Sequence, residues 1–197
     1  MAQPVIQTLA LGLALFASCS VVAQETAAEP VFTSRDGGDL VHEASGLRFP
    51  TKVAGFVRSD AAVFAANGDY VGVEYIRPLS ADGALTIRVA VVKIPGLSPH
   101  EHFTIARPAA VQSLDEVRPV AEGPYRRVTG TDGYRGLFTG RHGGSPWMRG
   151  LWTFERGEWD LRVRADFPRI DSIQADQAVA ELVSALNAAN DDLNQPE

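Results

Sequence analysis

The sharpest pattern in the chain is Trp159-Asp-Leu-Arg-Val-Arg-Ala-Asp-Phe167. Trp159, Leu161, Val163, Ala165 and Phe167 fall on one side, and Asp160, Arg162, Arg164 and Asp166 on the other. Strict alternation of this kind predicts a strand with one buried face. Leu85, Ile87, Val89 and Val91 repeat the pattern, with Thr86, Arg88 and Ala90 opposite. Tyr70 to Arg77 is rich in aromatic and β-branched residues and is expected to end at Pro78. Before it, Val53–Arg58 and Ala62–Ala65 read as strand pieces, followed by a hairpin turn at Asn67-Gly68. Further strands are predicted near 119–130, 134–141 and 147–155, broken by Thr131-Asp132-Gly133, His142-Gly143-Gly144-Ser145 and Arg156-Gly157-Glu158. Such short breaks join antiparallel neighbours only, since parallel strands need crossovers of a dozen or more residues. The second half of the chain is therefore expected to be a meander.

Two stretches carry helical periodicity instead. Ser98-Pro99 can cap and open a helix with Glu101 in its first turn, and Pro108 is expected to end or kink it before a second piece over 109–117. From Ser172 to Ala189, apolar residues recur at Ala175, Val179, Leu182, Val183 and Leu186, preceded by the capping-box spacing Asp171-x-x-Gln174. The fold class is α+β: a single antiparallel β-sheet of about six to seven strands, packed by a C-terminal helix and a short central helix. Residues 46–190 form the one domain. Residues 24–45 form a flexible N-terminal arm with one short strand at Leu40–His42, and 191–197 a polar tail.

The first 23 residues read as an address. Leu9 to Ala17 is an unbroken run of apolar and small residues, too short to span a membrane and ending in Val21-Val22-Ala23. Cleavage between Ala23 and Gln24 would release a periplasmic or secreted protein. The segment Met1–Thr8 holds no Lys or Arg, which departs from the usual leader. A second outcome competes: Phe16-Ala17-Ser18-Cys19 is similar to a lipoprotein box, with Phe where Leu is usual, and acylation of Cys19 would leave a membrane-anchored lipoprotein. Cys19 is the only cysteine, so after cleavage the domain has no thiol for a disulfide, a nucleophile or a metal.

Composition narrows the chemistry further. The chain has 197 residues, 45% of them hydrophobic, which excludes disorder and fits one packed domain. Its 24 acidic and 18 basic residues leave a net charge of −6, which argues against nucleic acid as a partner. His100 and His102 are the weak candidates for a metal. On a helix they point about 200° apart, so a polar helix N-terminus is the plainer reading. The loop Gly140–Pro146 lacks Walker or dinucleotide spacing, so no cofactor is expected, and no Gly-x-Ser-x-Gly elbow is present. The candidate ligand-binding residues are Arg162 and Arg164 on the polar strand face, joined by Arg135 or Arg149 from neighbouring strands. Together they suit a carboxylate or phosphate held bidentately. Trp147, Trp152, Phe154, Trp159 and Phe167 are read as core.

The run Gly157-Glu-Trp-Asp-Leu-Arg-Val-Arg-Ala-Asp-Phe-Pro168, leading into the final helix, completes an order of strand group, central helix, meander and C-terminal helix. Over residues 45–190 the chain resembles uncharacterised secreted bacterial proteins of PsbP-like α+β fold. The resemblance implies a non-catalytic role in binding or envelope assembly, with another envelope protein as partner, and supplies no active-site residue. The alternative is a small-molecule or metal-ion-binding periplasmic protein or enzyme that uses the His100/His102 segment or the Arg162/Arg164 sheet face.

Overall fold

The computed structural model describes residues 30–80, 83–126, 128, 132–169 and 172–191. Cys19, Ala23, Gln24 and the capping residue Asp171 lie outside them. Among the described residues there are eleven strands: β1 (Phe32–Ser34), β2 (Leu40–His42), β3 (Leu47–Phe49), β4 (Lys52–Val53), β5 (Phe56–Val63), β6 (Tyr70–Ser80), β7 (Gly83–Lys93), β8 (Asp115–Tyr125), β9 (Gly133–His142), β10 (Ser145–Arg156) and β11 (Trp159–Pro168). Helix α1 (Pro99–Val111) separates β7 from β8, and α2 (Ser172–Asp191) follows β11.

The expected single sheet is two. An eight-stranded sheet runs β4-β5-β6-β7-β11-β10-β9-β8, and β1-β2-β3 form a separate three-stranded one. The extra sheet escaped the sequence reading because nothing local to the strand expected at Leu40–His42 records that it pairs with β1 on one side and β3 on the other. It seats the described part of the supposed arm. His42 is fully buried; its Nε2 faces the Gly68 carbonyl at 3.0 Å and so carries the hydrogen, leaving Nδ1 to accept from the Ser45 hydroxyl at 2.7 Å. Burial holds the His42 pKa below its ordinary value.

The large sheet is two meanders welded at β7 and β11, whose register runs from Lys93 opposite Trp159 to Thr86 opposite Asp166. On one face Val71, Val73, Tyr75, Ile87, Val89, Val163, Ala165 and Phe167 are buried beneath α2 and β3. Each large apolar side chain so covered contributes roughly 1.5–3 kcal/mol. Helix α2 presents Ala175, Val179, Leu182, Val183 and Leu186 to that face, as its periodicity predicts. Near its end, Asn190 accepts from the Arg48 N–H at 2.7 Å and donates to the Arg48 carbonyl at 3.2 Å, standing in for a strand beside β3. Trp152, Phe154 and Phe167 are core residues, as expected. Among the described residues no helix is long and apolar enough to cross a membrane.

Helix α1 covers only part of the other face. Ser98 caps the helix as expected and forms a full capping box with Glu101, the Ser98 N–H donating to Glu101 at 2.9 Å. The helix runs through Pro108 to Val111, rather than breaking there into a second piece. Its seat is a cavity over Gly136, where a Cβ would lie 2.4 Å from the Phe103 ring. Two polar contacts fix it. Arg149, 4% exposed, pairs with Asp166 and donates to the Ala110 carbonyl at 2.7 Å and to Ser113 at 2.9 Å, closing the negative end of the helix. His102 meets Asp160 of β11 at 3.0 Å, with both side chains nearly sealed from solvent.

The surface position expected for His102 is therefore corrected: it is 2% exposed, while His100 stays outside and lies 4.5 Å from the Tyr134 ring. Burial pushes the His102 imidazole down to about 4 and the Asp160 carboxyl up to about 6. At neutral pH the imidazole is uncharged and donates Nδ1–H to the carboxylate. A histidine lowered from 6.5 loses stability as pH falls from 6.5 to about 4, because the unfolded chain takes the proton first. A carboxyl raised from 3.8 gains stability as pH falls from about 6 to 3.8, because the folded chain takes it first. In the shared window each state holds one proton, and the two slopes cancel.

The pair therefore makes wild-type stability flat with pH in that window, as far as these two groups are concerned. Asp160→Asn is expected to unmask the histidine slope and lose about 2 kcal/mol more at pH 5 than at pH 7.5. His102→Gln is expected to show the opposite slope, and urea midpoints across pH read both; equal slopes in the two variants would refute the pairing. Separately, Gly136→Ala is expected to cost about 1–3 kcal/mol by displacing the Phe103 ring. Adding Phe103→Leu to that variant should recover part of the loss, measured by the same unfolding curves.

Candidate functional site

Because α1 stops short of β5 and β6, a cavity of about 460 Å³ opens between the helix and the exposed half of this face. Sheet register builds its floor row by row. Gly72, Ala90, Arg162 and Thr153 stand side by side across β6, β7, β11 and β10. The adjacent row is Glu74, Arg88, Arg164 and Leu151. Small residues in the first row leave room above the sheet, and Ala106, Ala109 and Ala110 of α1 keep the facing wall shallow. The opposite wall is Phe64, folded over Gly72 so that a Cβ there would lie 2.8 Å from its ring, and tilted against the Tyr70 ring at 4.6 Å. Phe64 is nevertheless 58% exposed.

The electrostatics of the cavity are unusual for a sheet surface. Arg88 and Arg164 occupy directly opposed positions, an arrangement of like charges that destabilises a sheet unless countered. Arg88 is held by Glu74 at 2.7 Å. Arg164 lies 3.2 Å from Asp166, yet its Nε is buried and makes no hydrogen bond, since the distance is met without the alignment. Desolvation lowers the Arg164 pKa, opposed by Asp166 and reinforced by Arg149, Arg88 and Arg162. Arg162 donates to the Tyr70 hydroxyl and stacks 5.0 Å above its ring; among the described residues no carboxylate pairs with it. A guanidinium with spare donors in a partly desolvated hollow is suited to receive an anion.

The structure distributes the sequence candidates unevenly. Arg162 and Arg164 line the cavity. Arg149 shares their face but is spent beneath α1. Arg135 points to the opposite face, where it holds Asp176 of α2 at 2.7 Å and stacks on Tyr125. Being one residue out of phase on β9 is enough to cross the sheet. Arg88, Tyr70 and Phe64 belong to the site and were not singled out from sequence, although the alternation of 85–91 already placed Arg88 on the polar face. His100 and His102 do not converge, and among the described residues no group of three or more His, Cys, Asp and Glu could hold a metal ion.

No protein-family model matches the chain, and no curated protein matches it either. Among solved structures it is similar to PA94 of Pseudomonas aeruginosa, a protein of unknown function, with a TM-score of 0.46 and 13% identity over 79% of this chain and 95% of that one. It is also similar to LpqN of Mycobacterium tuberculosis, involved in cell envelope biogenesis, with a TM-score of 0.43 and 8% identity over 65% of this chain and 75% of that one.

Proposed function

We propose that the protein is an exported binding module, and that it holds a small anionic ligand in the cavity between α1 and the β6–β7–β11 surface. The observation that carries this reading is the opposed pair Arg88 and Arg164, with Arg162 beside them, in a concave site of a size ordinary for small ligands. The neighbouring groups are arranged for holding rather than for turnover. The strongly perturbed acid–base pair His102 and Asp160 is sealed beneath α1. Export is supported by the run Leu9–Ala17 with Val21-Val22-Ala23, and a binding role by the resemblance to PsbP-like secreted proteins.

A second reading, recognition of another envelope protein, draws on the same uncovered half-face. Val57 and Ile76, paired across β5 and β6, are 47% and 37% exposed there.

Anion binding predicts a stability increment that saturates. In a thermal-melt series at constant ionic strength with acetate, succinate, inorganic phosphate and octanoate, at least one anion should raise the midpoint beyond the sodium chloride control. Occupancy at a hundredfold excess over Kd is worth about 2.7 kcal/mol. The increment should vanish in Arg162→Gln/Arg164→Gln. An equal increment in that variant, or none in the wild type, refutes the reading.

A further inference from the structure

The cavity has two unlike halves, and each constrains the ligand. Its charged lining is Arg88, Arg162 and Arg164 against Glu74 and Asp60, which leaves one positive charge in excess. A single carboxylate balances that excess; a phosphate dianion overshoots it and would face Glu74 and Asp60 at close range. The remaining lining is mostly apolar, with Ala90 and Leu151 on the sheet, Ala106 and Ala109 on α1, and the rings of Phe64 and Tyr70 beside them. The alanine wall of α1 carries no side-chain donor or acceptor and offers contact to a thin hydrocarbon.

Over the floor the main chain offers nothing to an extended peptide. β6, β7 and β11 are each paired on both sides, so no free row of N–H and C=O groups faces a peptide strand there. Recognition on the floor passes through side chains, which favours a ligand with one polar end.

We propose, resting on the anion-binding reading above, that the ligand is a monoanionic amphiphile, a carboxylate seated at Arg162 and Arg164 with an alkyl chain packed between α1 and the sheet. The carboxylate would offset the repulsion between Arg164 and Arg88. The alkyl chain would cover Phe64 and Ala109, the exposed apolar side chains of the cavity wall.

Calorimetric titration of the full chain with octanoate, acetate, inorganic phosphate and octanol separates the two halves. Octanoate is expected to bind at one site and at least about tenfold more tightly than each of the other three, since a buried methylene favours binding about fourfold. Arg162→Gln should weaken octanoate at least about tenfold, as loss of a charge-assisted hydrogen bond implies. Ala109→Phe, at an exposed position on the cavity wall, should weaken octanoate by a similar factor and leave acetate unchanged. If acetate or phosphate binds as tightly as octanoate and is lost in Arg162→Gln, the amphiphile is wrong and the anion site stands. If octanol equals octanoate, or if none of the four saturates, both readings fail.

Discussion

The pairing of β7 with β11 is the constraint on which the rest depends. Each strand belongs to its own meander, and their sequence separation of some seventy residues makes the contact expensive in chain entropy. It is bought by apolar faces on both strands: Leu85, Ile87, Val89 and Val91 meet Leu161, Val163, Ala165 and Phe167 in one continuous buried layer. The same register has a consequence on the reverse face. Fixing Val89 opposite Val163 fixes Arg88 opposite Arg164 and Ala90 opposite Arg162. The core sets the register, and the register sets the charges of the cavity.

The two helices play different parts because the two faces differ. On the apolar face α2 and the small sheet complete an ordinary core, pinned at the margins by Arg77 to Glu181, Arg135 to Asp176 and Arg156 to Asn187. The Arg77–Glu181 pair is exposed and worth little by itself, so packing must dominate there. On the polar face α1 has fewer apolar contacts, chiefly Phe103, Ala106 and Ala110 against Phe138 and Leu151. Its position depends more on buried polar contacts, His102 with Asp160 near one end and Arg149 with Ala110 and Asp166 at the other. These contacts are directional. They hold α1 over β9, β10 and β11 and leave β5 and β6 uncovered, and that boundary is the cavity.

Charge is used in two ways on that face. Arg149 and Asp160 have been desolvated with close partners, and removing either partner would strand a polar group, the circumstance in which buried pairs matter most. Arg162 and Arg164 sit a few residues along β11 from Asp160, with donors that the protein leaves incompletely used. Strand alternation made all four equivalent at the level of pattern. Their different fates follow from which of them α1 covers.

The sequence by itself determined the strands of the meander, the amphipathic C-terminal helix, the Ser98–Glu101 cap and the polar face carrying Arg162 and Arg164. Each of these follows from spacing within a few residues, which period and capping chemistry encode locally. It also placed Leu40–His42 as a strand inside what read as an arm, without showing what that strand pairs with. Only the tertiary structure decided that β1–β3 form a second sheet, that Arg135 lies across the sheet from Arg162, that His102 is buried while His100 is not, and that Arg88 joins the cavity. Those outcomes depend on pairings between distant segments and on where one helix stops over a sheet. No local period records them, because they are settled by which surfaces meet once the long loops close.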